Sequence, residues 1–454
     1  MGKPPEVMWM WNFFARLRRE RNRLAAAIAT LALIVILSLA MAPAARARND
    51  QPDAMPTATE TVLYSFGVGG SGSSCKSVDD GINPPGSLTY VSATGLLFGA
   101  TSSTNTQGNG FGTVFQIGLD GSGYMVDHFF AGPKADGSAP QHGSLTLLGD
   151  VLYGTTLAGG TNNNGTIFSL NDDGTGYSSP PLFNFPKSAT NNVGDMPYST
   201  FSAIDNVLYA MTSAGGNQGG PAGDGAIFSF DTSGNTYTRV HSFNRKRGAD
   251  PHGQLILDPN GTTLYGMTSE GGKDKVGVVF SFDSIKSKYT VLHEFSCPGN
   301  QTPACIDNGD GASPDHGTLV QKNSTLFGLT TVGGRYGDGT LFAVRTDGSH
   351  FAILQHFGSP NTNDGTNPYG SLLLDGATLY GTTRYGGSKG NGTVFEIQTD
   401  GTSYDRIYNF QSGSDAANPV DNVILVGNIL YGMTEAGGLC GDGAIFALDL
   451  SSLM

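Results

Sequence analysis

Charge is scarce in this chain of 454 residues: 14% of them are Asp, Glu, Lys or Arg, and acids outnumber bases 38 to 25. Seven of the bases lie before residue 48, so from there on 18 bases face 36 acids, a net charge of -18. A surface of that sign repels phosphate backbones and excludes nucleic acid as a partner. No run of the repeated part has the apolar spacing of an amphipathic helix, which argues against a helical bundle. No Gly-x-Ser-x-Gly sits between a strand and a helix, so a hydrolase elbow is missing. The glycine-rich stretch 69–74 opens no helix, which rejects a phosphate-binding loop. Cysteines number only four.

Turn residues are plentiful instead. The 67 glycines and 22 prolines make up about a fifth of the chain, while 38% of the residues are hydrophobic. That is too apolar for disorder and predicts many short strands.

The N-terminus stands apart. Residues 16–23 (RLRRERNR) are basic, Leu24 to Met41 is an uncharged stretch rich in Ala, Leu and Ile, and small residues follow with Ala-x-Ala options ending at Ala42, Ala44 and Ala47. This order reads as an export signal over residues 1–47, with an uncleaved anchor as the competing reading, because eighteen residues is the lower limit for a span. Arg18 and Arg19 lack the usual surroundings of a twin-arginine signal. Everything from about residue 48 is therefore expected outside the cytoplasm, in the periplasm, on the cell surface or secreted. A short tether over 48–60 precedes the folded part.

From there the chain repeats itself. A segment Leu-Tyr/Phe-Gly (once Leu-Tyr-Ala) occurs seven times, its aromatics at Phe98, Tyr153, Tyr209, Tyr265, Phe327, Tyr380 and Tyr431. A second segment ends in Phe115, Phe168, Phe228, Phe280, Phe342, Phe395 and Phe446, and a third in Phe66, Phe130, Phe185, Phe243, Phe295, Phe357 and Phe410. A Gly-x-Leu segment or a relative opens each unit. Four short apolar runs (A, B, C and D) recurring every 55 residues or so are the signature of four-stranded propeller blades. The seventh unit has no D segment before Met454, whereas the chain begins its repeats with an orphan D segment at Thr61–Phe66. Circular closure fits both observations, since it protects sheet edges. The prediction is an all-β, seven-bladed β-propeller over 61–450, its ring closed by the N-terminal strand joining the last blade, with a tail at 451–454.

Four cysteines in an exported chain imply disulfides. Cys297 and Cys305 share one loop and are expected to pair. Cys75 follows the orphan D strand and Cys440 lies in the B–C loop of blade seven. D–A and B–C loops emerge on one face, so closure makes these two neighbours and predicts a second bridge.

The segments Leu152–Phe168 (LYGTTLAGGTNNNGTIF) and Leu379–Phe395 (LYGTTRYGGSKGNGTVF) resemble the GloVer (Gloeobacter/Verrucomicrobia) tandem repeat of exported bacterial proteins. The resemblance spans nearly all of 61–450, although Thr101–Phe111 lacks the Gly-Gly pair. It implies an extracytoplasmic repeat protein and supplies no catalytic residues.

Just before the A strands stand Pro85, His142, Tyr198, His252, His316, Tyr369 and Asp421. If A is the innermost strand, His142, Tyr198, His252, His316 and Tyr369 ring the channel mouth, where imidazoles and phenols bind a metal or hydrogen-bond and stack on a sugar. The alternative is that they only cap the inner strands, with histidines of different blades too far apart to share an ion. Asp307, Asp310 and Asp315 offer closely spaced oxygens and make a calcium candidate without the full twelve-residue loop. Asp224, Asp338 and Asp442 before strand C, and Asp120, Asp347 and Asp400 between C and D, each precede glycine and read as turns. His128, His241 and His293 on the D strands read as packing or solvent-facing residues.

Beyond calcium no cofactor is expected, and the chain is expected to be a monomer, touching a membrane only through an uncleaved N-terminal segment. The favoured function is a non-catalytic module binding a glycan, an envelope component or a protein partner through the loop-rich face. The alternative is a hydrolase or lyase acting on polysaccharide at the channel mouth.

Overall fold

The computed structural model describes residues 58–453, except for the loop segments 69–74, 76–79, 105–109, 135, 141–143, 187–192, 217–222, 298–304, 306–308, 361 and 412. Residues 1–57, where the sequence predicts an export segment and most of a tether, thus lie outside the described residues, as do His142 and Asp307. Among the described residues there is no helix, and so none long and apolar enough to cross a membrane. Seven small antiparallel sheets form a seven-bladed β-propeller. Blade four is typical, with strands A at Ile256–Leu257, B at Thr263–Thr268, C at Val278–Asp283 and D at Lys288–Glu294.

The repeated residues explain the blade. In the B–C ladder each motif glycine faces the motif phenylalanine across the strands, as Gly266 opposite Phe280 and Gly381 opposite Phe395. A Cβ on Gly266 would lie 2.6 Å from Phe280 Cζ, so the glycine leaves the space that the ring occupies. The ring, fully buried, then packs against Phe243 of the preceding blade's D strand, edge to face at 5.4 Å. One such phenylalanine per blade builds a chain of cores between blades, which is why the runs are continuously apolar rather than alternating.

A second seam is made of backbone and proline. The residue before the proline that leads into strand A has positive φ in every blade: Asn83, Ala139, Met196, Asp250, Ser313, Asn367 and Asn418. Its N–H donates to a carbonyl beside the C strand of the preceding blade, for example Asp250 to Asp224 at 3.1 Å and Asn367 to Asp338 at 2.9 Å. The proline ring then fits the notch of the glycine that follows, Pro251 at Gly225 and Pro368 at Gly339. Asp224, Asp338 and Asp442 thus sit at this seam, their carbonyls used. Asp120, Asp347 and Asp400 are turn residues, each accepting from the N–H two residues on at 2.9 Å.

The D-strand histidines pack on the next blade: His128 stacks on Tyr177, His241 on Tyr289 and His293 on Phe351. Burial, together with Arg247 and Arg239, lowers the His241 pKa to about 4.

Closure follows the sequence expectation. Thr59–Ser65 pairs antiparallel with Ala444–Asp449, supplying strand D of blade seven, and Pro84 fits the notch of Gly443. The disulfides Cys75–Cys440 and Cys297–Cys305 are both present, the first joining positions 365 apart in sequence. Two such bridges fit an oxidising, extracytoplasmic environment.

The closing strand carries one residue that its blade position does not explain. Glu60 stands six residues before Phe66, where Tyr237 and Tyr289 precede Phe243 and Phe295. Burial, with the nearby charge of Asp415, pushes its carboxyl up to about 8. An acid whose folded pKa exceeds its unfolded value is stabilising only below the unfolded pKa, so stability falls as pH rises from about 4.5 to about 8. Glu60→Gln is expected to flatten that fall and to raise Tm at pH 8 while changing little at pH 4, as thermal melts at the two pH values will show.

Candidate functional site

The inner strands of all seven blades border an axial cavity of about 450 Å³. Its wall is polar but largely self-satisfied. The N–H of Ser87 donates to Ser144 Oγ at 3.1 Å, Ser144 N–H to Thr200 Oγ1 at 2.9 Å, Gln254 N–H to Thr318 Oγ1 at 3.2 Å, and Thr318 N–H to Ser371 Oγ at 2.9 Å. Each hydroxyl therefore ties its own blade to the one before, and the ring of Ser and Thr is structural.

The mouth on the D–A side is different. In blades three, four and six a single residue separates the seam proline from the position of the inner glycine: Tyr198, His252 and Tyr369. Blade five has one residue more, so that both Asp315 and His316 lie between Pro314 and Gly317. The extra residue is accommodated by tight turns, Asp315 N–H donating to Ser313 O at 2.7 Å and Gly317 N–H to Asp315 O at 2.8 Å, with His316 forced to φ +62°. A non-glycine residue held there is strained, and such strain concentrates at functional sites.

The insertion drives the Asp315 carboxylate between two imidazoles. His252 Nδ1 contacts Asp315 Oδ1, and His316 Nε2 lies 3.2 Å from Asp315 Oδ2. The other nitrogen of His252 meets Asp250 Oδ1 at 2.9 Å. The rings form a row: Tyr198 and His252 centroids are 4.4 Å apart, His252 and His316 4.9 Å, His316 and Tyr369 4.3 Å. Histidines of adjacent blades are thus close enough to share an ion, contrary to the alternative drawn from the sequence. His142, in the corresponding place of blade two, lies outside the described residues.

The row continues into two residues that the sequence reading passed over. Arg384 lies over Tyr369, its guanidinium carbon 4.6 Å from the ring centroid, and makes a two-toothed ion pair with Glu435 at 2.6–2.9 Å. Both occupy the same repeat position, five residues after the leucine of the Leu-Tyr-Gly segment, in blades six and seven, where Leu157, Ser213 and Ser269 stand in blades two to four. Opposite charges at one repeat position in neighbouring blades were the available signal. Asp250 was hidden as the residue before a seam proline.

Charge is divided unevenly in the cluster. Burial opposes the charged form of His252, but its bonds to Asp250 and Asp315 outweigh this and hold the imidazole at about 9, protonated at neutral pH. Asp315 is half-buried, yet the two histidines keep its carboxyl well below the usual range. Burial lowers the His316 imidazole and raises the phenols of Tyr198 and Tyr369. Among the described residues, His252, Asp315 and His316 form the group able to hold a metal ion, their ligand atoms lying within 4.8 Å of one another.

Two expectations are corrected. Asp310 does not join Asp315 in a calcium loop: its carboxylate accepts from Ser296 Oγ at 2.9 Å and faces His293 at 3.3 Å, on the D-strand side, while Asp315 is engaged at the channel mouth. Asp307 lies outside the described residues. Asp421 does not stand in register with His252 and Tyr369 but takes the place of the inner glycine itself, against Gly370. Enclosed there and bordering the channel, its carboxyl is pushed up to about 7 by burial.

No curated protein matches the chain in sequence. Solved structures share its fold. An oligogalacturonate lyase in complex with manganese is 9% identical, with a TM-score of 0.50 over 83% of this chain and 91% of the other. The extracellular domain of a one-component system from B. thetaiotaomicron is 12% identical, with a TM-score of 0.50 over 81% of this chain and 38% of the other. The periplasmic gluconolactonase of Pseudomonas aeruginosa is 14% identical, with a TM-score of 0.48 over 73% and 86%. In sequence, the Gloeobacter/Verrucomicrobia repeat matches residues 83–306 and 301–453. The chain therefore belongs to the Gloeobacter/Verrucomicrobia repeat family.

Proposed function

We propose that the protein is a non-catalytic binding module that takes a neutral, hydroxyl-rich ligand, a glycan end, at the D–A mouth of its channel. The observation that carries this reading is the row Tyr198–His252–His316–Tyr369–Arg384. Its ring faces are used against one another, so what it offers a ligand is its edges, phenol hydroxyls and carboxylate oxygens, which suit hydroxyl groups. Asp250, Asp315 and Glu435 against a protonated His252 and Arg384 leave the cluster one charge negative, which disfavours an anionic sugar.

Calorimetric titration with neutral and with acidic oligosaccharides tests this. A neutral saccharide is expected to bind, and Tyr369→Ala to weaken it about tenfold or more, the loss of roughly 1.4 kcal/mol of contact. Response to acidic sugars alone, or to none, overturns the reading.

One observation favours the alternative, a polysaccharide lyase or hydrolase at the same mouth. Two imidazoles shifted in opposite directions, His252 upward and His316 downward, converge there with the Asp315 carboxylate, as acid–base sites do. Product release from a bound saccharide separates the two readings.

A further inference from the structure

We propose that His252 Nδ1, the Asp315 carboxylate and His316 Nε2 are the protein ligands of one zinc ion at the channel mouth. This goes beyond the saccharide reading and does not rest on it, because the ion needs only these three side chains.

The geometry has the parts that a zinc centre uses. Two imidazole nitrogens and a carboxylate face one another from adjacent blades, their ligand atoms within 4.8 Å of one another, a spacing that has to close by about 1 Å for one ion to stand at about 2.0–2.2 Å from each. The second nitrogen of His252 is turned to Asp250 Oδ1 at 2.9 Å. A carboxylate on the far nitrogen fixes the tautomer that leaves Nδ1 as the ligand and raises its basicity, as outer partners of metal-bound histidines do. Asp250 is itself held by the seam: its N–H is bonded to Asp224 O and its carbonyl accepts from Ser269 Oγ at 2.7 Å. The position of the acceptor is therefore set by the propeller frame rather than by a free loop.

Position in the sequence adds to this. Blade five, like blade two with Gln141 and His142, has two residues between the seam proline and the inner glycine, and in blade five the additional one is Asp315, followed by a left-handed His316. Tyr198 and Tyr369 flank the two imidazoles and restrict their rotation. Three protein ligands complete fewer than the four positions of zinc, so the remaining one opens toward the channel, which His252 and His316 line. Nitrogen donors select zinc over calcium and magnesium, which take oxygen ligands.

The test is calorimetric titration of the stripped, disulfide-bonded protein with ZnCl2 in the absence of any saccharide, with CaCl2 and MgCl2 in parallel. One equivalent of zinc is expected, with calcium and magnesium at least about a hundredfold weaker. His252→Ala and Asp315→Ala are each expected to lower zinc affinity by about a hundredfold or more, and Asp250→Asn by about ten- to a hundredfold through the outer bond. Asp310→Asn is expected to leave it unchanged.

Absence of a stoichiometric zinc site in the wild type overturns the proposal, as does affinity that survives both ligand substitutions. Should the variants not fold, cobalt in the wild type still decides: intense visible bands of a four- or five-coordinate ion are expected, and the weak spectrum of a six-coordinate aqueous ion overturns the assignment. Saccharide binding by the stripped protein alongside a failed zinc titration removes this inference alone. Zinc binding with no response to any neutral saccharide removes the binding function alone.

Discussion

Protein carrying Cys75→Ser and Cys440→Ser is expected to lose more stability than any other change described here. The bridge closes a loop of 365 residues. In the loop-closure relation that restriction of the unfolded chain is worth about 6 kcal/mol, an upper figure since measured bridges run to about 5. The native ring need not change when the bridge is absent, because strand Thr59–Ser65 still pairs with Ala444–Asp449 and Pro84 still fits its notch. The loss is therefore almost entirely a gain of freedom in the unfolded chain. Cys297→Ser with Cys305→Ser supplies the comparison: its separation of 8 residues corresponds to about 2.5 kcal/mol in the same relation. Urea unfolding of the two double variants, oxidised and side by side, measures the contrast. Equal losses, or a larger one for the short loop, would show that the ring is held by its strands and that the bridge contributes little.

Truncating one of the interblade phenylalanines is the next largest effect. Phe280→Ala is expected to cost about 3–5 kcal/mol, the range for removing a buried phenyl ring. The ring is fully buried, and the residue across the ladder, Gly266, has no side chain to move into the hole. Gly266→Ala alone is expected to cost about 1–3 kcal/mol by overpacking, since its new methyl would lie 2.6 Å from Phe280 Cζ. The two changes together then cost less than their sum, because the methyl enters space that the ring has vacated. Blade three shows the pair in a relaxed form, Ala210 opposite Phe228, so the blade tolerates a methyl where the ring is positioned for it. Denaturant unfolding of the two single variants and the double variant reads the coupling. A cost below 1 kcal/mol for Phe280→Ala, or strict additivity, would contradict the packing described.

Most of the fold is written in the sequence because it is written seven times. Gly266 and Phe280 are 14 residues apart, and a spacing that recurs in blade after blade announces a ladder even though one copy alone would be ambiguous. Closure and the Cys75–Cys440 bridge follow from counting segments at the two ends. The channel mouth was legible only as a position. That His252 and His316 come within 4.9 Å depends on how adjacent blades converge at the axis, which no spacing along one chain encodes. The insertion of Asp315 was visible as a residue, but its placement between two imidazoles depends on a left-handed His316 that the type of residue gives no reason to expect. Asp310 misled for the opposite reason: although near Asp315 in sequence, it is engaged by Ser296 and His293, while Asp315 is engaged by His252 and His316. Arg384 and Glu435 lie 51 residues apart and meet only because blades six and seven are neighbours.

Pairing Thr59–Ser65 with Ala444–Asp449 has a consequence in time. Among the strands of the propeller, a ribosome makes the first of these segments earliest and the second last. Blades one to six can assemble as they emerge, each on the seam of its predecessor, but the seventh has to wait until Ala444–Asp449 has been made. Until then the earliest strand has an unpaired edge, a state open to mispairing. A chain that stops anywhere before residue 444 leaves that edge unmatched, so the ring itself tests whether the strand Ala444–Asp449 has been made.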